Sequence, residues 1–351
     1  MSNVLTRPSR QALGKCQMSN RMSFIGHKTQ WNFLKEMSRQ KRIPHAMIFS
    51  GAESLGKKKV ALEFIKFLNC QNPVQDFQEK EKKDSQDCLF CNLIEKNQHP
   101  DFSLLVPQEK EIHISQIRNL QKTLNLKPAI SFFRSVIIDN AETLNWQAQN
   151  CLLKTLEEPN PGTLLLLITS KIEILFETIR SRCQILKFHP VFFEEVVESQ
   201  NEILQNEICN PELEKIFLLA QGSPGKIINF LKDPQKFSLF LNSFQQVEKL
   251  LTANLFERFC FSQNFFKKEI LAEDLRSFLD AFEYYLKCVF LKKMGIRNKI
   301  FDLQIAEIYS IVEIKKAIEL IEDLKNLILK TNLNPKLAFE NFLIHVLPRN
   351  H

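Results

Sequence analysis

The run Gly51-Ala52-Glu53-Ser54-Leu55-Gly56-Lys57-Lys58 spaces two glycines and a lysine as a phosphate cradle needs them. Glycines let the backbone turn its N–H groups onto an anion, and the lysine reaches the outer phosphates. The pattern G-x4-G-K-[ST] holds at every position but the last, where Lys58 replaces a magnesium-ligating hydroxyl. Hydrolysis of a nucleoside triphosphate also takes an aspartate for the metal, an acid that orients water, and an arginine that neutralises developing charge. Asp139 meets the first need, following the apolar run 136–138. The acid's position falls on Asn140, an amide that cannot take a proton. Glu142 lies two residues further on, an offset that does not aim it at the same point. Two required groups are wrong together, so the chain is not expected to hydrolyse ATP by itself. Arg182, in Ser181-Arg182-Cys183, keeps the arginine. Its residue type alone allows either a charge-neutralising role or an ordinary pairing with a surface carboxylate.

These groups need a sheet to position them. The runs 136–138 and 164–168 are short and continuously apolar, as strands buried on both faces are. Between them Ala148, Leu152, Leu153 and Leu156 recur at helical spacing, and Pro159 with Gly162 ends the helix. Strand, helix, strand with so long a connection means a parallel pair joined by a right-handed crossover. Ligands in such sheets bind beyond the strands' C-terminal ends, where Asp139, Thr169 and Ser170 fall. A helix over 29–40 and a strand over 46–49 precede the glycine loop. Val60, Ala61, Phe64, Ile65 and Leu68 give the helix after it an apolar face. A further strand is expected at 103–106, a helix at 114–126, and Arg182 on a helix leaving the sheet after Ser170.

The pattern changes near 188–190 and is helical from there on. Leu275, Phe278, Leu279, Phe282, Leu286, Val289 and Phe290 form one apolar stripe, and Ile314, Ile318, Ile321, Leu324 and Ile328 a second. A final helix is expected over 335–347. The phenylalanines fall on these stripes, so they are core residues rather than a platform for stacking bases. Only 8 glycines against 30 phenylalanines agrees with long helices and few tight turns.

The totals bound the class. At 351 residues the chain holds two or three domains, and 44% hydrophobic with 25% charged residues is ordinary for a globular protein. A net charge of +7 permits contact with nucleic acid or an acidic partner without demanding either. Nine cysteines, mostly single within apolar helical patterns, read as reduced thiols in a cytoplasm. No apolar run approaches the roughly 18 residues of a membrane span. Residues 1–22 carry no acid, which suits either an organellar transit peptide or a frayed or over-extended start. Residues 71–87 form a polar, charge-mixed insertion, bracketed by Cys70 and the pair Cys88-x2-Cys91.

Several strings together are similar to the bacterial clamp-loader branch of the AAA+ ATPases. They are His45-Ala46, Gly51 to Lys57, His99-Pro100-Asp101, Leu152-Leu153-Lys154-Thr155-Leu156-Glu157-Glu158-Pro159, Ser181-Arg182-Cys183, Gly222-Ser223-Pro224-Gly225 and Asn334-Pro335-Lys336-Leu337-Ala338. They spread from about residue 24 to 347. The resemblance implies an α/β AAA+ module at 23–188, a parallel sheet flanked by helices, after a disordered or mis-annotated tail at 1–22. A helical lid at 189–235 and an all-α collar that oligomerises at 236–351 would follow. The damaged loop and missing acid resemble the member that does not hydrolyse ATP, the alternative being a hydrolysing gamma/tau-like subunit.

In such assemblies the Ser-Arg-Cys arginine, here Arg182, enters the neighbouring subunit's ATP site. Gly51, Gly56, Lys57, Asp139 and Thr169 would form a degenerate nucleotide site. The lid's nucleotide-sensing arginine would fall near Gly225, where none stands and Lys226 is a poor substitute. The family also carries a four-cysteine zinc module, of which Cys70, Cys88 and Cys91 match three and Ile94 stands at the fourth place. Either a distant group such as His99 completes that site or these are plain thiols. Partners implied are gamma/tau and delta subunits, the sliding clamp, and primed DNA through the assembled complex, in the cytoplasm of a bacterium. Membership of the DNA polymerase III holoenzyme would associate the chain with polymerase activity without making it the polymerase.

Overall fold

The computed structural model describes residues 24–69, 89–203, 211–267, 272–295, 307–330 and 334–346. The tail 1–22, the insertion 71–87, Cys70 and Cys88 lie outside the described residues. Compact packing divides the chain into two units, Met1–Ile227 and Ile228–His351.

The first unit is built on five parallel strands. In chain order it runs α1 (Lys28–Arg39), β1 (Ala46–Ser50), α2 (Lys57–Asn69), α3 (Leu89–Glu95), β2 (Phe102–Leu105), α4 (Ile114–Leu124), β3 (Arg134–Ile138) and α5 (Trp146–Glu157). Then come β4 (Thr163–Thr169), α6 (Glu177–Arg180), β5 (Gln184–Lys187), α7 (Phe193–Ile203), α8 (Pro211–Leu219) and α9 (Pro224–Lys232), whose last residues pass into the second unit. The strand order is β2-β3-β4-β1-β5, and every neighbouring pair is parallel. β3 and β4 are buried along their whole length, as their continuous apolar runs require. Alternation along β1 divides the core in two. Met47 and Phe49 pack with Trp31, Leu34, Val60, Phe64 and Ile94, from α1 to α3. Ala46 and Ile48 pack with Ile117, Leu120, Ala148, Leu152 and Ile179, from α4 to α6. The chain leaving β1 therefore turns to one face of the sheet and the chain leaving the adjacent β4 to the other. Their C-terminal ends bound the crevice where open α/β sheets bind ligands.

Two differences from the sequence reading stand out. β5 completes the sheet at an edge, where four partly exposed residues lack the long apolar run that marks β3 and β4. Arg182 lies in the turn before β5 rather than on a helix, because α6 closes after four residues.

The second unit is helical: α10 (Pro234–Thr252), α11 (Leu255–Phe265), α12 (Ala272–Lys293), α13 (Ile311–Lys330) and α14 (Pro335–His345). The two stripes read from the sequence face inward, with Leu275, Phe278, Leu279, Phe282, Ile314 and Ile321 at 2% exposure or less. Asp233, Asn254 and Asn334 cap α10, α11 and α14 by accepting backbone N–H bonds. Buried Arg258 donates to the carbonyls of Leu250, Leu343 and Val346, tying the C-terminal ends of α10 and α14 to α11. No helix among the described residues is long and apolar enough to cross a membrane.

Candidate functional site at the ends of the strands

The glycine loop follows β1. A Cβ on Gly51 would lie 2.4 Å from the Phe188 carbonyl oxygen, so only glycine lets β1 end there. Gly56 takes φ +86°, the left-handed region that glycine enters freely, and α2 starts at the next residue. The loop is in place, but its carbonyls are engaged by the chain's own donors. Lys57 is buried, and its Nζ donates to the carbonyl oxygens of Gly51 and of Ala52, the latter at 2.6 Å. Burial lowers the pKa of Lys57, against the opposing pull of Glu142, Glu53 and Asp139. His27 Nε2 lies 2.7 Å from the Leu55 carbonyl oxygen. A carbonyl only accepts, so Nε2 carries the proton. Burial lowers the His27 pKa and that bond opposes it. The Gly225 N–H donates to the Ser54 carbonyl at 2.8 Å.

Across the crevice Asp139 follows β3. Its Oδ2 lies 3.0 Å from Lys58 Nζ, and its Oδ1 accepts the Asn140 N–H at 3.2 Å. Asn140 sits at φ 52°, ψ 52°, a left-handed conformation that asparagine tolerates better than glutamate. The residue type that cannot act as a base is thus also the one this backbone prefers. Thr169 ends β4 fully buried; its carbonyl accepts the Gly51 N–H and its Oγ1 accepts the Lys171 N–H at 3.1 Å. Glu142 takes up the end of β4, its Oε1 accepting from Ser170 Oγ at 2.5 Å and from the Ser170 N–H at 3.2 Å.

Gly51, Gly56, Lys57, Asp139 and Thr169 therefore do gather beyond the C-terminal ends of β1, β3 and β4. Their donor set does not fit a magnesium-bound nucleotide. No hydroxyl follows Lys57, an ammonium occupies the metal-facing side of Asp139, and Lys57 is turned onto loop carbonyls. His27 and Glu142 complete this end of the sheet; the sequence reading did not identify His27, and it set Glu142 aside as the water-orienting acid without assigning it the contact with Ser170. The only trace of His27 was its place after Gly26, before the first helix.

Arg182 belongs to the N-terminal ends of the strands. β5 runs parallel to β1 with Lys187 beside Ser50 and Gln184 beside Met47. The turn holding Arg182 precedes Gln184, so about 13 Å of strand separates it from the loop. Its Nη1 donates to the Thr178 carbonyl at 3.0 Å and its Nη2 meets Glu157 Oε1 at 2.9 Å. The side chain is 37% exposed.

His99-Pro100-Asp101 has a structural use at the N-terminal end of β2, on the far side of the sheet from β5. Asp101 is buried, accepts the N–H groups of Ala129, Ile130 and Ser131 at 2.8 to 2.9 Å, and meets Arg134 Nη2 at 2.9 Å. Burial pushes its pKa up, but the three N–H bonds and Arg134 outweigh that and hold it below the usual value. His99 Nδ1 accepts the Asp101 N–H, and burial lowers its pKa. Cys91 is buried in α3 within the core beside α2. Among the described residues no three His, Cys, Asp or Glu side chains come together to hold a metal, and Cys70 and Cys88 lie outside them.

Residues 26–192 match a family model described as DNA polymerase III, delta subunit. The delta-prime subunit of DNA polymerase III from Bacillus subtilis is 36% identical over 150 residues, 43% of this chain and 44% of that one. Its counterpart from Pseudomonas aeruginosa is 34% identical over 141 residues, 40% and 41% of the two chains. A DNA polymerase III gamma subunit from Buchnera aphidicola (subspecies Acyrthosiphon pisum) is 29% identical over 194 residues, 54% and 52%. The chain thus spans about half the length, or less, of these curated relatives. Over residues 26–192 it matches the DNA polymerase III delta-subunit family, and it resembles bacterial delta-prime and gamma subunits.

Proposed function

We propose that this chain is the non-hydrolysing, delta-prime-type member of a bacterial clamp loader. It would help place a sliding clamp on primed DNA and offer Arg182 to ATP bound by a neighbouring gamma/tau subunit. One observation carries the reading: Arg182 and the chain's own glycine loop lie at opposite ends of the neighbouring parallel strands β5 and β1. A guanidinium held there cannot neutralise a phosphate in its own loop, yet it is exposed to a neighbour. Residues 23–188 would be the AAA+ module, 189–235 the lid, and 236–351 the collar that joins sister subunits, delta among them. The loop at the other end would not turn ATP over, since Asn140 supplies no base and Lys58 no hydroxyl.

The test is ATP turnover by a complex reconstituted with gamma/tau and delta subunits and a clamp. Arg182→Ala should leave assembly intact and slow the one affected site by about 10³-fold, the scale of losing an arginine finger. The total rate would fall less, because other sites continue. An unchanged rate refutes the trans role. A second reading, an ATP-hydrolysing gamma/tau-like subunit, draws on the similarity to gamma subunits. Magnesium-dependent turnover by the purified chain alone would favour it.

A further inference from the structure

We propose that Lys58 is a built-in replacement for a divalent cation, neutralising Asp139 and keeping the phosphate loop closed with neither metal nor nucleotide. Asp139 has both carboxylate oxygens engaged, Oδ2 by Lys58 Nζ at 3.0 Å and Oδ1 by the Asn140 N–H at 3.2 Å. Magnesium demands near-octahedral oxygen ligands at about 2.0 to 2.1 Å and keeps several of its waters. An ammonium asks only for hydrogen-bond acceptors, and its flexible stem carries the charge to them.

At the carboxylate itself the ammonium at 58 supplies positive charge where a dication would, and the amide at 140 places no second negative charge beside it. Lys58 and Asn140 thus act on the same carboxylate. The rest of the loop agrees. Lys57 holds the Gly51 and Ala52 carbonyls, Gly225 the Ser54 carbonyl, and His27 the Leu55 carbonyl. Each of these carbonyls is thus satisfied within the chain.

The test uses the purified full chain and two probes, magnesium chloride and a fluorescent ATP analogue, and needs no partner subunit. The wild-type melting temperature should not respond to millimolar magnesium, and nucleotide binding should be absent or indifferent to EDTA. Lys58→Thr restores the hydroxyl and uncovers Asp139. That variant should melt lower without metal, recover with magnesium, and bind the nucleotide about tenfold tighter with magnesium than with EDTA. Lys58→Met, which removes the charge and adds no ligand, should melt lower and not recover. Lys58→Thr combined with Asp139→Asn should also lose the response to magnesium. A wild-type chain that binds nucleotide only with magnesium overturns the proposal, even if no variant folds. So does a folded Lys58→Thr chain that ignores magnesium. Neither outcome touches the Arg182 reading, which is measured on the assembled complex.

Discussion

Two aspartates on neighbouring strands show how differently the sheet's two ends are used. Asp101, entering β2, is fully buried and gathers four donors, an arginine and three backbone N–H groups. Asp139, leaving β3, is 18% exposed and gathers two, an ammonium and its neighbour's N–H. The first carboxylate pins the 129–131 segment that leads into β3, and nothing about it suggests exchange with a ligand. The second sits in a crevice made for ligands and is satisfied by a cation on a flexible stem. Burial with many short bonds marks a structural carboxylate; partial exposure with one ammonium partner leaves a carboxylate that solvent and solutes can reach.

Removing each partner in turn should separate the two ends. Asp101→Ala leaves Arg134 buried without its carboxylate and frees three N–H groups. It should cost about 3–5 kcal/mol, read as a lowered denaturation midpoint. An unaltered midpoint would mean the Asp101 network is dispensable and the comparison empty. Acid should sharpen the contrast. The folded-state pKa of Asp101 is lowered, so its stabilisation is fully present above its unfolded value, about 3.9, and is lost as pH falls through the folded value. Urea midpoints between neutral and strongly acid pH should show that loss, and Asp101→Asn should flatten it. Lys58→Met should cost a small amount, about 0.2–1 kcal/mol in unfolding experiments, since the Lys58 side chain is 41% exposed. Glu157→Gln should matter least for folding, within about 0.5 kcal/mol, both partners being exposed. Its readout is the complex: a freer Arg182 should change turnover by a small factor without preventing assembly.

Much of the scaffold was legible in the chain. Continuous apolar runs announced β3 and β4 because the middle of a strand covered on both faces faces no water on either side. Ala148, Leu152 and Leu156 announced α5 because one helical face packs on the sheet. The glycine spacing announced the loop, and Lys58 with Asn140 marked where it departs from the hydrolytic pattern. β5 escaped notice because an edge strand of four residues needs little apolar character. His27, and the partner of Glu142, escaped because Leu55 and Ser170 are distant in sequence from them and give no periodic signal.

The sequence by itself determined which groups exist: a lysine where a hydroxyl would be, an amide where an acid would be, and an arginine kept. Only the tertiary structure decided that the lysine meets Asp139 and that the arginine stands at the other end of the strands from the loop. The reason is that parallel strand pairing fixes which ends lie together, and that register is a property of the assembled sheet rather than of any one segment.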